Sequence, residues 1–236
     1  MKQHERSGMN ISGSETQNVQ VRAGDVTLEG SLNIPADASG IVVFVHGSGS
    51  SRHSPRNQYV ASTFNEGGLG TLLFDLLTLK EEQIDQATRH LRFDISMLAR
   101  RTVGAADWLA ALPDAGQLKV GFFGSSTGAA AALIAAAERP QLTRAVVSRG
   151  GRPDLAALSL DRVAAPVLLL VGALDQTVIG LNEEALSQLP ETVEKRLEII
   201  PGATHLFEEP GTLEQAAARA RDWFQTHFNG RVGRVP

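Results

Sequence analysis

A serine hydroxyl attacks an acyl carbon at neutral pH only when a base lies within hydrogen-bond reach and a third group orients that base. Ser126 is the residue whose surroundings suggest such activation. It stands in Gly124-Ser125-Ser126-Thr127-Gly128, after the apolar run 120–123 and immediately before the alanines 129–132. A nucleophile on a sharp strand-to-helix turn needs small residues two positions away on each side, because two backbones must pass there. Gly124 and Gly128 meet that need, and the alanines let a helix sit close to the sheet with its N-terminus under any negative charge forming at Ser126. Candidates for the other two roles follow in the order Ser, Asp, His that such sites use. Asp175 lies in the loop after the apolar run 167–171, and His205 in Pro201-Gly202-Ala203-Thr204-His205 after the run 197–200. The rival role for Asp175 is to cap the helix that follows it. Of the remaining histidines, His4 is near the start, His90 and His227 fall in helical stretches expected to be exposed, and His46 and His53 flank a Gly/Ser-rich loop, where both are expected to shape that loop.

These residues must be held by a sheet. Alternating apolar residues at 19–22 and 26–34, with Ala23-Gly24-Asp25 between them, predict an opening antiparallel pair. Short continuous apolar runs at 41–45, 71–74, 120–123, 145–147, 167–171 and 197–200 then suit parallel strands buried on both faces. Between them lie helical stripes, one through Ile95, Leu98, Ala105, Ala106, Leu109 and Leu112, another through Leu213, Ala216, Ala217, Ala220, Trp223, Phe224 and Phe228. The second stripe opens with Thr212-Leu213-Glu214-Gln215, which fits a capping box. The expected architecture is α/β, a mostly parallel sheet of about eight strands with helices on both faces and ligands at the carboxyl ends of the strands. One domain over 18–228 is expected, with a disordered leader at 1–17 and a flexible tail at 229–236.

Composition narrows the chemistry. The chain has 236 residues, 42% of them hydrophobic, and a formal net charge of −4, which gives no electrostatic case for nucleic acid or for a membrane surface. The absence of cysteine excludes a thiol nucleophile, disulfides and thiolate metal sites. No His/Asp/Glu cluster has metal-ligand spacing, so neither metal nor cofactor is expected. Residues 1–17 lack the apolar core of a secretory signal, and no apolar stretch is long enough to span a bilayer, so a cytoplasmic protein acting on a small molecule is expected; assembly into a homo-oligomer stays open.

The chain resembles an α/β-hydrolase, and more narrowly the dienelactone hydrolase-related group, through His46-Gly47-Ser48-Gly49, the run Gly124 to Gly128, Asp175 and His205 in that order. The resemblance covers residues 19–228 and implies that Ser126 attacks an acyl carbon, His205 shuttles the proton and Asp175 holds the imidazole. In the namesake enzymes the nucleophile is a cysteine; Ser126 in its place favours ordinary ester chemistry. Oxyanion donors are expected from the backbone amides of Thr127 and Ser48, the latter in a loop whose glycines and serines let backbone approach a substrate. That loop has no Gly-Lys-Ser/Thr ending, which argues against a nucleotide site.

Arg52 and Arg56 follow this loop, and Arg149 and Arg152 follow the run 145–147, so all four are expected at the edge that carries Ser126. They are candidates for binding a carboxylate or phosphate of the substrate; the competing role is pairing with Asp75, Asp154 or carbonyls. Only residues 148–165 separate two consecutive strands, too few for a cap domain, so the mouth is expected to be open, with selection by loops at 75–92 and 149–160 and a preference for short acyl esters, lactones or thioesters. Because a histidine base must be neutral, activity is expected to fall as the pH drops through the ordinary imidazole range, about 6 to 7. The same residues would serve an acyltransferase or perhydrolase, and a non-catalytic ligand-binding module could keep the fold; carbon–carbon cleavage of a diketone ranks below both for want of an enclosing cap.

Overall fold

The computed structural model describes residues 13–113 and 115–230. Its strands are β1 (Gly13–Ala23), β2 (Val26–Ile34), β3 (Gly40–Val45), β4 (Gly70–Phe74), β5 (Lys119–Ser125), β6 (Thr143–Arg149), β7 (Val167–Gly172) and β8 (Lys195–Ile200). They form one sheet in the order β1-β2-β4-β3-β5-β6-β7-β8. β1 pairs with β2, and β2 with β4, in antiparallel fashion; every later neighbour is parallel. The helices are α1 (Pro55–Glu66), α2 (Leu79–Thr88), α3 (Ile95–Ala110), α4 (Thr127–Glu138), the one-turn α5 (Ala157–Leu160), α6 (Gln176–Gln188) and α7 (Thr212–Phe228).

Continuous apolar runs become central strands because each face of the sheet has its own core. Along β3, Ile41, Val43 and Val45 pack into one cluster with Leu98 and Leu109 of α3 and the alanines of α4, while Val42 and Phe44 pack into the other with Val60 and Phe64 of α1 and Phe224 and Phe228 of α7. The second face is aromatic: Phe123 lies 5.0 Å from Phe44 and 5.6 Å from Phe64, and Phe64 stands edge-on to Phe224 at 5.6 Å, separations that favour tilted ring pairs. The first face is filled chiefly by alanine where α4 meets the sheet, which brings this helix close beneath the end of β5.

Three local expectations change. β1 begins at Gly13, inside the leader expected to be disordered through Gln17, because its polar residues pair along the edge of β2, with Gln17 opposite Leu32 and Asn18 opposite Ser31; residues 1–12 lie outside the described residues, as do 231–236 of the expected tail, while Asn229 and Gly230 form a turn after α7. No capping box forms at Thr212. Gly211, at φ 80°, takes the N-cap position and has no side chain to accept from the helix amides, while Thr212 falls inside the first turn and its hydroxyl donates to the Glu209 carbonyl at 2.7 Å. A capping box does form at α2, where Thr78 accepts from the Glu81 amide and the Glu81 carboxylate accepts from the Thr78 amide. His227 is also not exposed: its ring packs 4.5 Å from Trp223, and burial lowers its pKa. Between β6 and β7 there are only a short 3-10 turn and α5, so no cap domain stands over the strand ends.

Candidate active site

Ser126 connects β5 directly to α4 and adopts φ 50°, ψ −123°, a backbone region that costs a non-glycine residue on the order of 1–3 kcal/mol. The turn is held from several directions. The Ser126 carbonyl accepts from the amides of Ala129 (3.1 Å) and Arg152 (3.0 Å), and the Ser126 amide donates to the Arg149 carbonyl (3.4 Å), so the β6–α5 loop grips the elbow on one side. On the other side backbone nearly touches backbone: a Cβ on Gly124 would lie 2.5 Å from Ala129 Cα, and one on Gly128 would lie 2.1 Å from the Val45 carbonyl oxygen. The two glycines are required by close approach, as the sequence suggested.

Asp175 and His205 meet at the ends of β7 and β8. Gly172 lets the two loops touch, since a Cβ there would lie 2.4 Å from the Ala203 carbonyl oxygen, and the Leu174 amide donates to that same carbonyl at 2.9 Å. His205 Nδ1 lies 2.7 Å from Asp175 Oδ2. Asp175 does occupy the N-cap position of α6, yet its side chain makes no capping hydrogen bond; the carboxylate is turned to the imidazole instead. The loop bearing His205 is fastened by Glu209, whose carboxylate accepts from the Thr204 hydroxyl (2.6 Å) and amide (3.0 Å); these bonds hold the Glu209 carboxyl below the usual range. His205 and Ser126 line the same cavity of about 590 Å³, with no hydrogen bond between their side chains among the described residues. Such bonds are often long before substrate arrives.

The loop after β3 forms the facing wall. The Ser48 amide donates to the Thr127 hydroxyl at 3.1 Å, so the two residues expected as oxyanion donors are brought together, with the threonine side chain occupying the Ser48 donor. His46 shapes the loop from beneath: Nδ1 faces the Gly47 carbonyl at 3.0 Å and Nε2 accepts from the Leu76 amide at 3.1 Å, a role open only to a neutral ring. Burial lowers its pKa, opposed in part by the Gly47 carbonyl and by the charges of Asp75 and Glu82. Two supports of this wall were not anticipated. Buried Arg101 donates to the Leu76 carbonyl and to Glu81, both at 2.5 Å, and buried Asp85 accepts from the amides of Leu91 (2.8 Å) and Arg92 (3.2 Å) and from the Arg92 guanidinium.

The four arginines separate. Arg52 pairs with Asp75, and Arg152 forms a two-pronged pair with Asp154 at 2.8 and 2.7 Å, the structural role weighed for both. Arg56 reaches Glu208 at 2.7 Å on the surface. Arg149 is not on the rim: it is 8% exposed, and it lines the Ser126 cavity. Segment 75–92, expected to select substrate at Ser126, instead lines a separate cavity of about 210 Å³ behind the loop after β3; of segment 149–160 only Arg149 and Gly150 reach the Ser126 cavity. His53 is also in that cavity's lining, its amide donating to Ser51 Oγ at 3.2 Å. Among the described residues no group of three or more His, Asp or Glu could hold a metal ion, and no helix is long and apolar enough to cross a membrane.

The dienelactone hydrolase family model matches residues 28–229, from within β2 to just past the end of α7. The chain belongs to the dienelactone hydrolase family. A crystal structure of a dienelactone hydrolase from Anabaena variabilis is 59% identical, with a TM-score of 0.88 over 90% of this chain and 98% of that one. An esterase of Pyrococcus furiosus, 16% identical with a TM-score of 0.74 over 91% of this chain and 93% of that one, shares the fold. A protein of Mycobacterium tuberculosis provisionally named a phosphoribosyl transferase is 55% identical over 214 residues, covering 91% of this chain and 47% of its own length. The chain therefore spans about half the length of the curated relatives it matches. Family and fold are those of α/β-hydrolases, with a serine at the elbow of this member.

Proposed function

We propose that this chain is a serine hydrolase that cleaves small carboxylic esters, lactones or thioesters through an acyl-enzyme. Ser126 Oγ attacks the acyl carbon while His205 takes its proton; the tetrahedral oxyanion is held by the Thr127 and Ser48 amides. Collapse expels the leaving group, which takes the proton from His205, and water deprotonated by His205 then releases the acid and restores Ser126. Asp175 keeps the Nδ1 proton on the imidazole so that the other ring nitrogen can act as base. The observation that carries the reading is the 2.7 Å contact from Asp175 to His205, made by a carboxylate that forgoes capping α6, with His205 lining the cavity that also holds the strained Ser126.

For the Ser48 amide to serve the oxyanion, the Thr127 hydroxyl must rotate away or share it, a small rearrangement on substrate arrival. The name given to the Mycobacterium relatives belongs to proteins about twice as long as the matched segment. The test is hydrolysis of p-nitrophenyl butyrate by the native protein, Ser126→Ala and a fluorophosphonate-treated sample. Activity in the first alone is expected. A native protein that neither turns over this ester nor takes the label would leave the fold as a ligand-binding module, and transfer of the butyryl group to added alcohol or peroxide in preference to water would make it an acyltransferase or perhydrolase.

A further inference from the structure

The sheet ends on β8, whose outer side pairs with no strand among the described residues. Pairing with β7 takes up only half of its backbone groups. The carbonyls of Glu194 and Ile200 accept from the amides of Val167 and Ala173, both at 2.9 Å, so Lys195, Leu197 and Ile199, which alternate with them, turn N–H and C=O outward. A bare ladder of this kind is a template for another strand, and charged side chains commonly block it. On β8 the charges do not share one sign. Arg196, whose Cζ lies 5.2 Å from the Trp223 ring, and Glu198, paired with Arg219 at 2.5 Å, stand two residues apart on the face that α7 covers. On the other face Leu197 packs against the core, and Ile199 is 39% exposed.

Antiparallel pairing of β8 with its own copy needs a twofold axis perpendicular to the sheet, and because opposite residues share a face the axis must pass through a residue. An axis on Lys195, Arg196 or Glu198 sets that charge against itself, and one on Ile199 brings in Pro201, which has no N–H to pair. An axis on Leu197 has neither fault. It sets Arg196 opposite Glu198 of the second copy and, by symmetry, Glu198 opposite Arg196. Leu197 meets itself, and Lys195 stands opposite Ile199, covering an exposed isoleucine. The outward N–H and C=O groups at 195, 197 and 199 then face one another as hydrogen-bonded pairs. The α7 side leaves room for the incoming side chains. A cleft of about 200 Å³ is lined there by Arg196, Glu198, Arg219, Asp222 and Trp223, and Trp223 Nε1, in a residue 6% exposed, has no hydrogen-bond partner. A carboxylate arriving at Arg196 comes in beside this unused donor. Arg196 already touches Glu194 at 2.7 Å, but such exposed pairs are weak and easily shared.

We propose that β8 is a self-association surface: two copies of this chain pair their β8 strands in antiparallel fashion about a twofold axis through Leu197, making one sheet continuous through both. The contact closes at the dimer, since each chain has a single β8 edge to give. It also ties together the two strands that lead through Ile200 into the His205 loops.

Sedimentation equilibrium of the whole chain from about 1 to 200 µM is expected to show a dimer and nothing larger. Arg196→Glu and Glu198→Arg each set like charges opposite one another at both symmetry-related contacts, and each is expected to weaken the dimer at least about tenfold. Mixed in equal amounts, the two variants become complementary, glutamates on one strand against arginines on the other, and a heterodimer is expected. The double variant Arg196→Glu/Glu198→Arg is expected to pair as the native chain does. Should either single variant fail to fold, Ile199→Lys and Ile199→Glu decide at an exposed position. Facing Lys195 of the second copy, the first is expected to weaken the dimer and the second to keep it; equal affinity in both overturns the proposal. A native chain that stays monomeric at about 200 µM overturns it as well. So does a dimer indifferent to both single charge changes, which places the contact elsewhere, and so do single variants that remain monomeric when mixed, which excludes this register. Assembly beyond a dimer contradicts the closed twofold.

Discussion

Gly128→Ala is the substitution whose effect the structure fixes most closely. The new Cβ would lie 2.1 Å from the Val45 carbonyl oxygen and 2.5 Å from that of His46, both backbone atoms that no rotamer change can move. Carbon–oxygen contacts ordinarily start near 3.3 Å, so α4 and the end of β3 must part by about 1 Å. That displacement acts on the Ser48 amide two residues further on, and on the distance between it and the Thr127 amide. Overpacking of this kind costs about 1–3 kcal/mol, which for a domain of this size lowers Tm by roughly 2–12 °C. A shift of about 1 Å in a positioned donor costs on the order of a hundredfold in rate. Thermal unfolding followed by circular dichroism, with p-nitrophenyl butyrate kinetics, should show both losses, the second mainly in kcat. Gly180→Ala is the control: it lies inside α6, and a Cβ there meets nothing within 4 Å, so it should keep full activity and gain up to about 1 kcal/mol. Native Tm and native kcat in Gly128→Ala would refute the claim that close backbone approach positions the loop after β3 for its proposed oxyanion role.

Two further perturbations separate positioning from stability. Asp175→Asn keeps the size of the side chain but can offer an N–H to His205 Nδ1, favouring the wrong tautomer; kcat should fall about 10³- to 10⁴-fold with Tm nearly unchanged, and a loss below tenfold would remove Asp175 from its proposed role. His46 gives the chain an acid sensitivity: its folded-state pKa lies below the ordinary 6.5, so the unfolded chain takes up this proton at higher pH than the folded one does. Stability from this group is complete above pH 6.5 and declines as the pH falls below it, until the folded-state value is passed. Native protein should therefore lose more Tm between pH 7 and pH 5 than His46→Gln does, and parallel Tm curves would dismiss the linkage.

The parts of the site legible in the sequence are those fixed by local backbone demands. Gly124 and Gly128 announce the elbow because no side chain fits where α4 passes β3, and Asp175 follows the fully apolar run of β7; the strand before His205 is less plain, since β8 lies at the sheet edge with Glu198 inside it and only Ile200 fully buried, not covered on both faces as expected. What depended on partners distant in sequence was not legible. The Thr212 pattern matched a capping box as well as Thr78 to Glu81 does, but Gly211 and the Glu209 carbonyl decide its geometry, and both choices are made by how the chain returns from the His205 loop. Residues 13–17 are too polar to read as a strand alone and become one only by pairing with β2. Four arginines look alike in the sequence, which offers Asp75 and Asp154 as partners without assigning them; that Arg52 takes the first and Arg152 the second, while Arg149 meets no acid among the described residues, is a property of the folded chain.

This difference in burial among the arginines predicts a salt response. Screening acts within about 10 Å at 0.1 M ionic strength and about 3 Å at 1 M, but mainly on charges in contact with solvent. Arg56 is 37% exposed at its side chain and already shared with Glu208, so any help it gives an anionic ester should fade as ionic strength rises. Arg149, enclosed between Phe123 and Phe207, keeps its field in the cavity. If Arg149 is the group that acts, any preference in kcat/KM for 4-nitrophenyl hydrogen glutarate over its neutral methyl ester should fall by no more than roughly threefold between 0.05 and 0.5 M ionic strength. A fall beyond about tenfold would place recognition at the exposed Arg56, with Arg149 relegated to holding Ser125 and the two rings in place. The overall charge of −4 works in the opposite direction, repelling anions at long range, and this repulsion too is screened by salt. An anionic preference that persists at high ionic strength would then point to a cation less exposed than Arg56.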